Sequence, residues 1–247
     1  MKQSKARSRL RLARTAVMVA VLLCACGDGD RTTDAGPEQA ASVEPGGDPG
    51  PTPLTDLPEE TPLDAGTYLL PARQRADLPA ALLDVPSGLL GGGEFLFATG
   101  KGFAALAYWE VTDVYANPCS KRGRRDAGSS VEDLGEALEA LALLSPTRPV
   151  PVAINGHEGL YLEMSAPDLD YQKCQTNDVA FWHSAAGDRD LYSGVAGAVV
   201  RIWILDVDGR RAVLNTYAEP GATKAQVERL RKVVESARFI GADGSEL

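Results

Sequence analysis

The chain has 247 residues, 44% of them hydrophobic and 24% charged, with 34 acids against 25 bases and a formal net charge of −9. An acidic balance lacks the basic footprint that neutralises phosphates, which argues against nucleic acid as a partner. Two histidines and four cysteines restrict the imidazole, thiol and metal chemistry open to it.

Six positive residues (Lys2, Lys5, Arg7, Arg9, Arg11, Arg14) and no acid precede an apolar run from Ala16 to Ala25. A membrane-spanning helix needs roughly 20 apolar residues, so this run is too short to cross. A basic stretch, a short apolar stretch and a small residue before a cut describe a secretory signal. The absence of an adjacent Arg pair points to the Sec route over the twin-arginine route. Leu23-Cys24-Ala25-Cys26 resembles the lipobox of bacterial lipoproteins, whose cysteine after the cleaved bond is acylated. Small Ala25 selects Cys26, whereas bulky Leu23 precedes Cys24, which leaves with the leader. The resemblance implies a signal peptide over residues 1–25 and palmitate-type acylation at Cys26. It also implies a lipid bilayer as partner, with the protein held at the extracytoplasmic face of the cell membrane, since two or three chains anchor firmly. An ordinary secretion signal with two incidental cysteines is the alternative.

With Cys24 removed and Cys26 acylated, Cys119 and Cys174 are left in a compartment where disulfides persist. They lack the C-x-x-C spacing of a redox or metal pair, so a structural bridge is expected.

Residues 27–63 contain seven Pro, six Gly and nine acids against one Arg, with no aromatic residue. Such a composition cannot bury enough apolar surface to offset its ordering entropy, and predicts a disordered spacer running from Cys26 to residue 63. At its length it would reach about 35 Å. A single domain is expected over 64–247, where 18 bases face 25 acids.

Along that domain, strands are expected at residues 81–85, 95–99 and 103–111. The glycine-rich stretch 91–102 is not a phosphate loop, because its Gly-to-Gly-Lys spacing is wrong and Gly102, not Ser or Thr, follows Lys101. KRGRR, residues 121–125, sets Lys121, Arg122, Arg124 and Arg125 together, either as a solvated loop tip or as a dock for an anionic envelope polymer, headgroup or partner. Ser130-Val-Glu-Asp133 reads as a capping box. Val131, Leu134, Leu138 and Leu141 then form one apolar stripe, with Ser145-Pro146 as the stop. Asn155-Gly156 and Asp208-Gly209 are type I′ hairpin signals, since both central positions of that turn need positive φ. They join 150–154 to 157–164 and 199–207 to 210–217. In the second hairpin, Asp206 should oppose Arg211, Ile204 Val213 and Trp203 Leu214. Its apolar residues on both faces place it centrally in a sheet. A helix capped by Thr223 presents Val227, Leu230, Val234 and Ala237 on one side, with Glu228 and Lys232 as an i,i+4 pair.

The order of elements predicts an α+β fold, an antiparallel sheet with two main helices packed on it. VTDVYANPC (111–119) and RIWILDVDGRRAV (201–213) resemble segments of uncharacterised secreted actinobacterial lipoproteins. The element order is also similar, more loosely, to PsbP-, Mog- and LpqN-like domains, and implies a partner- or ligand-binding role without catalysis.

No nucleophile-elbow motif occurs. Asp206-Val-Asp208-Gly209 lacks the third acid and distal Glu of a calcium loop. His157 and His183 are the only imidazoles; either could enter a catalytic pairing, and together they could join carboxylates around zinc. No catalytic residue, metal ligand or cofactor is assigned. Two functions are carried forward. The first is a non-catalytic binding or interaction module for an envelope protein, polymer or small ligand, in which Tyr108, Trp109, Tyr115, Phe181, Trp182 and the basic segment supply contacts. The second is an envelope hydrolase with a His-based site.

Overall fold

A computed structural model describes residues 50–72 and 78–247; the leader, Cys26 and the spacer up to residue 49 lie outside the described residues. In chain order the described strands and helices are β1 (Thr52–Pro53), β2 (Thr61–Pro62), β3 (Gly66–Leu70), β4 (Ala80–Val85), β5 (Leu90–Gly92) and β6 (Phe95–Ala98). There follow β7 (Ala104–Trp109), β8 (Asp113–Asn117), β9 (Arg122–Asp126), α1 (Val131–Glu139), β10 (Val150–Ile154) and β11 (His157–Ser165). The last are β12 (Val179–Ser184), β13 (Arg189–Ser193), β14 (Val199–Val207), β15 (Arg210–Ala218), α2 (Lys224–Glu235) and β16 (Arg238–Ile240).

The structure is mostly sheet with two α-helices, and its pairings are antiparallel apart from β1 against β3. The strands form three sheets among the described residues, where the sequence suggests one. The largest runs β10-β11-β14-β15-β7-β6-β5-β2, flanked by β1-β3-β4-β16 and β13-β12-β8-β9. Both Asn155-Gly156 and Asp208-Gly209 carry positive φ, and their hairpins close in the expected register, with Ile204 on Val213 and Trp203 on Leu214. The β14–β15 hairpin lies at the centre of the large sheet, as its two apolar faces require.

Because strand side chains alternate, each row of the large sheet feeds one of two cores. Tyr108, Leu214 and Trp203 pack with Leu83, Phe239, Leu230 and Val234, from β4, β16 and α2. Trp109, Ile202 and Ile204 face the other way and pack with Leu134, Leu138, Val114 and Phe181, from α1, β8 and β12. The large sheet is thus a middle layer with both faces covered.

Three expectations are corrected and a fourth is refined. The spacer does not run to residue 63: β1 adds to β3, β2 to β5, and Leu54 and Leu63 are buried in the first core. Helix α1 starts in the expected capping box but ends at Glu139. Leu138, Leu141 and Leu144 then continue inward at steps of three, which suits the 3₁₀ turn Ala142–Leu144. Helix α2 ends at Glu235, because Ser236 accepts the Asp84 amide and Phe239 enters the core as part of β16, paired with β4. Finally, the expected Glu228–Lys232 pair acts through charge alone, because Glu228 takes its hydrogen bonds from Arg231, which also bonds Glu235.

Candidate functional site

Cys119 and Cys174 form the disulfide, with Cα atoms 4.7 Å apart. It fastens the turn between β8 and β9 to the segment entering β12, where Gln175 also donates to the Cys119 carbonyl. The basic segment is therefore a strand and not a loop tip: Arg122–Asp126 is β9, an exposed edge strand paired with β8. Its charges have separate fates. Lys121, at φ 49°, turns inward between Asp178 (3.3 Å) and Asp190 (3.1 Å). Arg124 lies over the Tyr115 ring and 3.9 Å from Asp188. Arg122 and Arg125 remain exposed.

Asp190, on β13, gathers a polar cluster. Its Oδ1 accepts from the Tyr115 hydroxyl (2.8 Å) and lies 2.9 Å from His183 Nδ1, while Oδ2 meets Lys121. Burial works against its charge, but the bonds from His183, Tyr115 and Lys121 outweigh it and hold the carboxyl below its ordinary range. Burial and the bond to Asp190 raise the Tyr115 phenol. For Lys121, burial pulls the other way, and the two carboxylates prevail and raise it. His183 itself is buried, its side chain 3% exposed, and its second nitrogen faces Asp188 at 3.6 Å. A catalytic imidazole needs a nucleophile or substrate at that nitrogen, and here its near neighbour is the carboxylate of exposed Asp188, beyond hydrogen-bond distance. His157 stands apart, edge-on to Phe239 of the first core. Among the described residues no group of three or more His, Cys, Asp or Glu is arranged to hold a metal ion.

The aromatic candidates also separate. Trp109 and Trp182 meet edge to face at 5.9 Å in the second core, and Phe181 is fully buried beside them. Tyr108 is fully buried in the first core. These are packing residues, although Trp109 also closes one end of the feature that the sequence did not reveal.

That feature is a cleft of about 770 Å³ between the large sheet and β13. Ala105 and Ala107 on β7 leave a hollow between Phe95 and Phe97 of β6 and Asn215 and Tyr217 of β15, and β13 with the following Gly194-Val195 roofs it. Phe95, Phe97, Phe103 and Tyr217 form a chain of tilted rings with centroids 5.7, 5.7 and 6.0 Å apart. At the mouth, Phe103 is 41% exposed, Tyr192 58% and Val195 37%. Tyr217 bonds Ser193 through its hydroxyl (2.9 Å), and burial raises its phenol. Asn215 is 2% exposed, and its Oδ1 has no hydrogen-bond partner. An inward polar residue in a strand apolar on both faces is the one sequence signal that could have pointed here.

A scan of protein-family models and a search of curated proteins both find no match to this chain.

Proposed function

We propose that the chain is an extracytoplasmic lipoprotein, anchored in the cell membrane through acylated Cys26, whose folded part is a non-catalytic binding module of α+β class. The cleft between β7 and β13 carries this reading: it is concave, within the size range of small-molecule sites, and combines a largely apolar wall with the charged side chains Lys121, Asp188, Arg189, Asp190 and Glu219. The Cys119–Cys174 disulfide is compatible with an oxidising compartment. Layered antiparallel sheets with two α-helices are the coarse class that the element order predicts. The burial of His183 against Asp190 weighs against the hydrolase alternative.

Two measurements test the reading. Metabolic labelling with a palmitate analogue should tag the chain and move it to the membrane fraction, and Cys26→Ala should abolish both; an untagged chain in that fraction would remove the anchor. Envelope-directed hydrolysis present in the purified chain and lost in folded His157→Ala/His183→Ala protein would replace the binding module with the hydrolase.

A further inference from the structure

We infer that the cleft takes an uncharged, mostly apolar small molecule that donates one O–H or N–H hydrogen bond to Asn215. This deepens the binding-module reading and rests on it.

The first observation is the unpartnered amide oxygen. A buried acceptor without a donor costs free energy, and native proteins leave few of them. Asn215 sits on the cleft floor beside Ala107, its register partner on β7, with Phe95 next in the same row. Tyr217, the other polar floor residue, is already bonded to Ser193. A half-turn about the Cβ–Cγ bond, which the broad amide torsion allows, brings Oδ1 to the opening and exchanges it with Nδ2. A ligand donor at that point would satisfy it.

The second observation is the balance of charge around the cleft. Lys121 and Asp190 are paired with each other, and Arg124 lies near Asp188. The other charges on the lining, Arg189 and Glu219, are of opposite sign. An anionic headgroup would find Arg189 as the one lining base outside the Lys121–Asp190 pair, against three lining acids, and desolvating it would not be repaid. The third observation is the ring chain, which supplies apolar faces along one wall and argues for a ligand that is mostly hydrocarbon or aromatic.

The test uses three matched probes on the full chain carrying Cys26→Ser, which needs no detergent: 1-naphthol, 1-methoxynaphthalene and 1-naphthoate. Binding is followed by titration calorimetry and by amide shifts around β7, β13 and β15. The expected result is that 1-naphthol binds about tenfold more tightly than its methyl ether, which offers no donor, and more tightly than the carboxylate. Asn215→Leu should erase the difference between the first two, and Phe103→Ala should weaken both. Should Asn215→Leu fail to fold, the comparison on Asn215-containing protein with Phe103→Ala decides. Equal binding of naphthol and its ether at the cleft would overturn the inference while leaving the binding-module reading in place. A preference for naphthoate would overturn it likewise. No shift at the cleft with any probe would count against both.

Discussion

At Asp190 three donors converge, His183 from the neighbouring strand and Tyr115 and Lys121 from a distant part of the chain, and the carboxylate is held below its ordinary range, against the pull of burial. A carboxyl whose folded pKa is depressed adds stability that is complete above its unfolded value, near pH 4, and is lost as the pH falls through the folded value. Asp190→Asn should therefore cost about 2 kcal/mol at neutral pH and flatten the acid limb of stability, as urea midpoints between pH 6 and pH 2.5 would show. Tyr108 gives a prediction of opposite sign. Its hydroxyl is buried without a partner, so Tyr108→Phe should stabilise by about 1 kcal/mol, seen as a rise of a few degrees in Tm. Little at this scale was legible in the sequence. Lys121 reads there as one of four free cations, because nothing local announces Asp178 and Asp190. Asn215 stands out as a polar residue in a hairpin expected to be central, but nothing local announces the cleft beside it.

Elements were legible where their signals are local. The Ser130 and Thr223 caps each bond the backbone amide three residues on, and the two I′ turns fix register within a few residues. Ser130→Ala should cost about 1 kcal/mol by thermal melting. The missed strands hide for identifiable reasons. In β9, charge masks an edge strand. In β12 every residue is buried, so no alternation shows, and a bulge between Ala180 and Trp182 disturbs the period. The expected opposition of Asp206 and Arg211 holds along the backbone, yet the side chains part. Arg211 bonds the carbonyls of Val111, Ala127 and Ser130, tying the central hairpin to the start of α1, while Asp206 accepts from Gly209. The disulfide spans 55 residues, and chain entropy assigns it about 4 kcal/mol. Cys119→Ala/Cys174→Ala should lose that much in urea denaturation, and most of the loss should reappear in wild type on reduction.

For the whole molecule, the boundary of the folded part is the main revision. Pro, Gly and acid content concealed Leu54 and Leu63, which close the first core from outside the predicted domain. A chain starting at residue 64 should be less stable by about 3–5 kcal/mol than one starting at 50, because two fully buried leucines are lost. The three-layer stacking explains the cleft as well. Helix α1 and the β13-β12-β8-β9 sheet share one face of the large sheet, and the small residues of β7 leave the gap beneath β13. Native mass spectrometry of the full chain, recovered from its own membrane without exchange into organic solvent, addresses the binding role most directly. The account predicts one bound small molecule on the wild-type protein, neutral once released, and its loss from Phe103→Ala. A bare polypeptide, or an adduct that survives Phe103→Ala unchanged, would contradict it.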